Sequence, residues 1–273
     1  MRITKGMLLK FARETVSLRV RSERDVVAVY VVGSLLDEDP LLGGTTDIDL
    51  FFVHNDEPIV NREIIRVTDE VTIDIAHHPQ DFYHQPRHLR TDPWLGPTVA
   101  KSNLVLHDTQ HWFEFTQASA RAQFNRPDYV LERARQQADT ARQNWMMMQN
   151  HSIPEHPVLF YLTTVGKAAN AIASLNGPPL TDRRFLLQFP DRAQAVDRPG
   201  LAAGLFGLLG GHSADRDTLK SWLPLWDKAF LEVSSFSSIS PQLHHDRHAY
   251  YFRAMQSLAE SDQPQTLLWP LLH

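Results

Sequence analysis

The chain has 273 residues, with 27 Lys and Arg against 32 Asp and Glu, so its formal net charge is −5 at neutral pH. Apolar residues make up 42% of the sequence, which excludes a disordered protein, and the absence of cysteine excludes disulfides, thiolate zinc sites and a cysteine nucleophile. The acidic balance argues against a long nucleic acid as partner, because such binding needs clustered basic residues.

Mixed helical and extended patterns fill the first 110 residues. Apolar residues at helical spacing predict a helix over 5–18. Three β-rich runs bounded by turn residues predict strands at Val26–Val32, Ile48–Val53 and Val71–Ala76. Residues 58–67 can form a short helix or a further strand, and Asn103–His107 can form an edge strand.

Helical patterns replace the β pattern from about residue 110. Helices are predicted over 126–149, 157–176, 181–188, 199–209, 215–235 and 241–261. This order predicts an α+β fold class, with a small mixed sheet and flanking helices in a domain at 1–110, followed by a C-terminal helical bundle at 111–273. The whole negative excess lies in the first of these domains, which has 12 basic and 17 acidic residues, whereas the second has 15 of each.

No apolar run approaches the roughly 18 residues of a membrane span. The first residues also lack the apolar stretch and cleavage pattern of a signal peptide. From these two features we expect a cytoplasmic protein without a membrane partner.

Three carboxylates and a Gly-Ser pair carry the chemical signal. Asp47 and Asp49 alternate within a predicted strand, so both side chains project from the same face, where their mutual repulsion favours a bound divalent cation. Oxygen ligands of this kind suit Mg²⁺ or Mn²⁺. Asp74 adds a third carboxylate in a later apolar strand, and Gly33-Ser34 follows the first strand, where a backbone amide and a hydroxyl can approach phosphate oxygens.

Each of these elements has an ordinary structural explanation when it is taken alone. An Asp in an apolar run is often a strand-end residue bonded to a turn, and Gly-Ser after a strand is common. The combination of strand, Gly-Ser, spacer, paired Asp, strand and third Asp in this order is much harder to explain by accident.

Gly33, Ser34, Asp47, Asp49 and Asp74 resemble the signature of the DNA polymerase β-like nucleotidyltransferase superfamily. That signature is a Gly-Ser after a strand, a spacer of a dozen residues, a carboxylate pair and a third carboxylate on a later strand. The helical second half looks like that of kanamycin and related antibiotic nucleotidyltransferases. The resemblance implies a small mixed nucleotidyltransferase sheet flanked by helices, with a helical C-terminal domain.

The resemblance also implies a role for each residue. Gly33 and Ser34 would hold the β- and γ-phosphates of ATP or another nucleoside triphosphate. Asp47 and Asp49 would bind the Mg²⁺ or Mn²⁺ ions that bridge these phosphates. Asp74 would complete the second metal site or help to deprotonate the acceptor hydroxyl.

Other polar residues give weaker signals. Lys167 interrupts an apolar helix and is a candidate phosphate ligand, although a lysine on a bundle surface fits the same pattern. The acids of Asp37–Asp39 lie in the spacer and would repel a triphosphate unless this loop turns outward. His54, His77 and His78 follow the Asp-bearing strands and so are expected near the proposed site, which is weak evidence in a chain with 14 histidines. The run at 244–248 is interpreted as surface.

The expected activity is a metal-dependent transfer of a nucleoside monophosphate, AMP from ATP in the simplest case, to a hydroxyl of a small molecule such as an aminoglycoside-like compound. One alternative is a protein-nucleotidylating enzyme of the toxin–antitoxin type, although the helical half lacks the Arg-x(4–6)-His pattern of the partner ribonucleases. Another is a nucleotide-binding module without turnover. A homodimer is compatible with the resemblance, because related antibiotic enzymes form dimers.

Overall fold

The computed structural model describes residues 3–101, 104–150, 155–236 and 240–273. Over these ranges the protein is a mixed α+β structure with one five-stranded sheet and eleven α-helices. The expected α+β fold class is therefore confirmed. Within the same ranges, none of the helices is long and apolar enough to cross a membrane.

The sheet combines parallel and antiparallel strand pairs. Its strands are β1 (Val26–Val32), β2 (Thr46–His54), β3 (Arg62–Arg66), β4 (Val71–Pro79) and β5 (Val105–Asp108). They lie in the order β3-β4-β2-β1-β5, with β2 parallel to β4 and the other neighbours antiparallel. The three predicted strands are confirmed, the ambiguous segment at 58–67 contains a strand, and β5 is an edge strand as expected. Residue 103 of that last prediction lies outside the described residues.

Helix α1 (Lys5–Ser22) covers one face of the sheet. It begins after Thr4, whose hydroxyl accepts a hydrogen bond from the backbone N–H of Met7 at 3.4 Å. Three apolar residues at four-residue spacing, Leu8, Ala12 and Val16, are buried in the same core as the strands. The helix predicted over 5–18 is confirmed and extends to residue 22.

Strands β2 and β4 present two different faces because side chains alternate along a strand. The core face carries the buried apolar side chains Ile48, Leu50, Phe52, Ile73 and Ile75. The opposite face, here called the acidic face, carries Asp47, Asp49 and Asp74.

The remaining helices are α2 (Pro86–Thr91), α3 (Leu95–Lys101), α4 (Trp112–Arg121), α5 (Pro127–Gln149), α6 (Pro157–Ala173), α7 (Phe185–Ala195), α8 (Gly200–Leu208), α9 (Arg216–Val233), α10 (His248–Glu260) and α11 (Leu268–Leu272). Most of the helices predicted beyond residue 110 are found near their predicted bounds. The pattern over 181–188 belongs to a 3₁₀ turn followed by α7, and the helix predicted over 241–261 becomes α-helical only at His248, after two 3₁₀ turns.

The chain forms two compact units, each assembled from three stretches. The first consists of Met1–Leu89, Thr98–Ala122 and Pro224–Ser257, and the second of Arg90–Pro97, Gln123–Leu223 and Leu258–His273. This division is discontinuous, unlike the single boundary after residue 110 that the sequence predicts, and that boundary stays a prediction. The discontinuity arises because residues 224–257 return to the unit that contains the sheet.

Helices α5 and α6 pack against each other in the second unit. Small and aliphatic residues face this contact, among them Ala134, Ala141, Leu162 and Ala169, all buried. Trp269 is also buried in this unit and stacks on Phe185 with ring centroids 4.0 Å apart.

Candidate functional site

The acidic face brings the three predicted carboxylates together. Asp49 of β2 lies directly opposite Asp74 of β4 in the parallel register, and Asp47 lies opposite Thr72. One carboxylate oxygen from each of the three aspartates lies within 4.8 Å of the others. Asp47 and Asp74 are buried and Asp49 is partly exposed. We call these three residues the carboxylate cluster; their role as metal ligands stays a prediction.

Two arginines contact the carboxylate cluster. Arg62 of β3 donates from Nε and Nη2 to the two carboxylate oxygens of Asp74, at 2.7 and 2.6 Å. Arg247 donates from Nη1 to Asp74 Oδ2 at 2.7 Å and from Nη2 to Asp47 Oδ2 at 2.9 Å. Asp74 is therefore held by two guanidinium groups, whereas neither of them makes these hydrogen bonds to Asp49.

The turn before β2 contacts helix α10, which begins directly after Arg247. Gly43 and Gly44 both have positive φ, as a tight turn between Leu42 and Thr45 requires. A Cβ on Gly43 would lie 2.2 Å from the carbonyl oxygen of Arg253 in α10, so only glycine permits this close approach. The hydroxyl of Thr45 also donates a hydrogen bond to the backbone carbonyl oxygen of Tyr250 at 3.1 Å. These contacts dock the start of α10 beside the acidic face.

Gly33 and Ser34 form the start of a 3₁₀ turn directly after β1. Gly33 has φ of +71°, and a Cβ at this position would lie only 1.9 Å from Asp49 Oδ2. Ser34 Oγ lies 3.4 Å from the hydroxyl of Thr46, the first residue of β2. The structure therefore places the predicted Gly-Ser pair against the carboxylate cluster.

Asp49 has a clearly shifted pKa within the carboxylate cluster. Burial raises the pKa of Asp49 well above its ordinary value, and repulsion from Asp47 and Asp74 raises it further, whereas the two arginines only partly oppose this rise. Burial disfavours the charge of Arg247, but its neighbours, which include Asp47 and Asp74, raise its pKa. The ionised form of Asp49 is therefore disfavoured in the folded protein.

Two buried polar atoms in this region lack a hydrogen-bond partner. Among the described residues, Thr72 Oγ1 and Arg247 Nε are buried and have no hydrogen-bond partner. Thr72 lies on the acidic face, in register with Asp47. Buried polar atoms are normally satisfied, so an oxygen-rich ligand would remove a cost that the protein bears alone. The donor set of carboxylate oxygens suits a hard divalent cation.

The structure also shows the surroundings of the other sequence-based candidates. Lys167 lies on α6 in the second compact unit, half-buried, with its ammonium nitrogen 5.5 Å from the ring centroid of Trp94. In the acidic spacer, Asp37 pairs with Lys101 at 3.1 Å, and the side chains of Glu38 and Asp39 are exposed. Lys101 therefore offsets part of the negative charge expected near a triphosphate.

Two expectations about histidine-rich regions need correction. The sequence predicts the run at 244–248 at the surface, but Arg247 within it is 4% exposed and bonded to two aspartates. It also predicts His54, His77 and His78 near the carboxylates. The side chains of His54 and His77 instead belong to the core face, because alternation along the strands puts them on the same side as Phe52. His78 shares the face of Asp74.

Sequence reasoning missed Arg62, Thr72 and Arg247. Arg62 alternates with Ile64 in a short strand, a pattern that could have marked it as a partner for an acidic neighbouring strand. No comparable signal marks Arg247, because its partners lie 173 and 200 residues away in the sequence.

The sequence matches no known protein-family model and none of the curated proteins with which it was compared. The residues themselves therefore carry the functional argument.

Proposed function

We propose that the acidic face binds a divalent cation together with a nucleoside triphosphate, and that the protein transfers a nucleoside monophosphate, AMP from ATP in the simplest case, to a hydroxyl of a small molecule. The observation that carries this proposal is the convergence of Asp47, Asp49 and Asp74 on adjacent parallel strands, with the backbone of Gly33 against Asp49. In this proposal the sheet and the helices around it form a nucleotidyltransferase-like arrangement.

Asp47 and Asp49 are the proposed main ligands of Mg²⁺ or Mn²⁺. Asp74 contributes less directly, because both of its oxygens already accept hydrogen bonds from Arg62. A carboxylate offers about four lone-pair sites, so these hydrogen bonds still leave room for a cation. When bound, such a cation neutralises phosphate charge and polarises the phosphoryl oxygens.

The protein's own groups align the triphosphate in this proposal. The backbone N–H of exposed Gly33 and the hydroxyl of Ser34 donate to phosphate oxygens, and Arg247 Nε offers a further donor. The acceptor oxygen attacks the α-phosphorus and forms a new P–O bond, while the bond to the pyrophosphate oxygen breaks. The hydroxyl proton passes to a carboxylate of the cluster. Alignment and charge neutralisation supply most of the rate.

A second candidate is nucleotide binding without turnover. The observation that favours it is the engagement of Asp47 and Asp74 by Arg247, which supplies positive charge where an active enzyme would use its metal. In such a module, the nucleotide would bind but no acceptor would be modified.

Calorimetric titration with ATP and Mg²⁺ tests the site. We expect the double variant Asp47→Asn/Asp49→Asn to weaken Mg²⁺-dependent ATP binding by more than about tenfold, since even groups that only orient metal ligands contribute 10–100-fold to metal affinity. Asp69→Asn is the matched control, because Asp69 is an exposed carboxylate that pairs with Arg66. Unchanged ATP binding by the double variant would rule out the site.

Pyrophosphate release separates the two candidate functions. The wild-type protein is incubated with ATP, Mg²⁺ and a panel of hydroxyl compounds that includes aminoglycosides and other small cations. We expect acceptor-dependent release that the double variant lacks. ATP binding without release for any acceptor would favour the binding module over the enzyme.

A further inference from the structure

A second polar cluster lies on the core face of the sheet, where α1 ends. It consists of Glu23, Asp25, His54, Glu63 and His77, and we call it the histidine cluster. The two histidines are 4% and 7% exposed, so both imidazoles are almost fully buried. It contains none of the aspartates of the carboxylate cluster, which lie on the opposite face.

The hydrogen bonds of the histidine cluster form a chain. Asp25 Oδ2 lies 2.8 Å from His54 Nδ1, and Glu63 Oε1 lies 2.9 Å from His77 Nε2. Between these two contacts, His54 Nε2 and His77 Nδ1 face each other at 2.8 Å. Each imidazole therefore has one nitrogen beside a carboxylate, here called the outer nitrogen, and one nitrogen beside the other imidazole, here called the inner nitrogen. The outer nitrogens are His54 Nδ1 and His77 Nε2, and the inner nitrogens are His54 Nε2 and His77 Nδ1.

Proton counting shows that two neutral histidines do not satisfy this chain. An ionised carboxylate only accepts hydrogen bonds, so both outer nitrogens must carry their protons. A neutral imidazole has one N–H, which leaves both inner nitrogens unprotonated. Two lone pairs would then point at each other across 2.8 Å. An added proton or a metal ion removes this repulsion.

The donor atoms around the two nitrogens favour a metal ion. Neutral imidazole is the form that ligates metals. Glu23 supplies a third donor, since one of its carboxylate oxygens lies within 4.8 Å of a ring nitrogen of each histidine.

The charges of the histidine cluster also suit a divalent ion. Three carboxylates contribute three negative charges, and Arg19, which pairs with both Glu23 and Glu63, contributes one positive charge. The remainder is two negative charges when both histidines are neutral. A divalent cation balances this remainder, and a single proton does not.

We infer that His54 Nε2, His77 Nδ1 and a carboxylate oxygen of Glu23 bind a divalent transition-metal ion of the Zn²⁺ class. Asp25 and Glu63 hold the outer N–H groups of the two ligand histidines, an arrangement typical of metal-bound imidazoles. Two nitrogens and one oxygen leave a fourth position of the tetrahedron for water. Bond lengths of about 2.0–2.1 Å would separate the two nitrogens to about 3.4 Å, which a small rotation of the imidazoles provides.

Titration of the metal-free protein with Co²⁺ tests this inference, because four-coordinate Co²⁺ absorbs strongly in the visible range. We expect one Co²⁺ per chain, displaced by Zn²⁺. Binding is expected to be lost in His54→Gln and weakened at least about tenfold in Glu23→Gln, whose partly exposed side chain can be replaced without disturbing the core. His78→Gln is the matched control, because His78 is the next residue of β4 but has the parity of the opposite face.

Three results would overturn the inference. The first is an absence of Co²⁺ binding by the wild-type protein. The second is unchanged binding by His54→Gln. The third is loss of the signal in Asp47→Asn/Asp49→Asn, which would place the ion at the carboxylate cluster. Because ATP binding is measured separately on that double variant, failure of this inference and failure of the proposed function are distinguishable.

Discussion

Strands β2 and β4 carry a cluster of polar and charged side chains on each of their two faces, and the two clusters are stabilised differently. On the acidic face, carboxylates cluster and two arginines from elsewhere in the chain supply positive charge. On the core face, two imidazole nitrogens meet at 2.8 Å beside carboxylates that hold their outer protons. Arg62 and Arg247 neutralise part of the first cluster, whereas in the second Arg19 contacts two of the carboxylates and no arginine among the described residues reaches the paired imidazoles.

This difference follows from the parallel register of β2 and β4. Because the side-chain period of a strand is two, neighbouring residues of one strand serve opposite faces. Asp74 and His77 are three residues apart and so lie on different faces of β4. One short sequence thus contributes to two sites that can be changed separately, and the variants below test that separation.

The largest effect is expected for Arg247→Met. Removal of one partner from a buried ion pair leaves an uncompensated charge, so we expect the free energy of unfolding to fall by about 3–5 kcal/mol, measured by urea denaturation. Added Mg²⁺ should restore part of this loss, because it replaces the missing positive charge at Asp47 and Asp74. Co²⁺ binding by the folded variant should stay unchanged.

The control for this variant is the same substitution in an Asp47→Asn/Asp74→Asn background, where removal of Arg247 leaves neither of its two carboxylate partners behind, so the loss should be much smaller. A cost below about 1 kcal/mol for Arg247→Met alone would show that the ion pairs are weak, as exposed pairs are. Neutralisation by a buried arginine would then not distinguish the acidic face from the core face.

An intermediate effect is expected for Gly33→Ala, with Gly44→Ala as its matched control. Both glycines have left-handed backbone, at φ of +71° and +74°, so each substitution should cost about 1–2 kcal/mol. Only the Cβ at residue 33 collides with Asp49, whereas nothing lies within 4 Å of the one at residue 44.

Gly33→Ala should therefore be less stable than Gly44→Ala in urea and should also lose Mg²⁺-dependent ATP binding in the calorimeter. Equal ATP binding by the two variants would mean that the position of Asp49 does not matter to the nucleotide. Both variants should retain Co²⁺ binding on the core face.

The most gradual effect, spread over the pH range between the folded and unfolded pKa values of Asp49, concerns the pH dependence of stability without metal. The pKa of Asp49 is raised in the folded state, so the folded protein binds more protons than the unfolded chain. Stability is then highest below the ordinary carboxyl pKa and falls as the pH rises through the raised value. Asp49→Asn should remove this fall, which amounts to about 1.4 kcal/mol for every pH unit that separates the folded and unfolded pKa values.

Asp69→Asn provides a control of opposite sign. Its hydrogen bond to Arg66 lowers the pKa of Asp69, so this carboxylate stabilises the fold as the pH rises. Urea denaturation from below the ordinary carboxyl pKa up to pH 8, in the presence of a chelator, measures both slopes. Identical slopes for wild type and Asp49→Asn would contradict the electrostatic description of the acidic face.

Much of the fold was predictable from local patterns. The run of valines at Val26–Val32 predicts β1 at its observed bounds, and alternation within β2 predicts that Asp47 and Asp49 share a face. The sequence pattern at 58–67 fits either a helix or a strand, because only the pairing of β3 with β4 decides between the two. The 3₁₀ turns before α10 were missed because their residues satisfy a helical pattern without forming the helix.

The order of residues along the chain was sufficient to predict the three carboxylates, the Gly-Ser turn and the α+β class, since each depends on periodicities of two or 3.6 within short segments. The tertiary structure alone decided that Arg247 enters the carboxylate cluster and that His54 meets His77. These contacts join residues 23 to 200 positions apart, and the parallel register and the docking of α10 set their geometry. The spacing of side chains within one segment does not show which residues of distant segments come into contact.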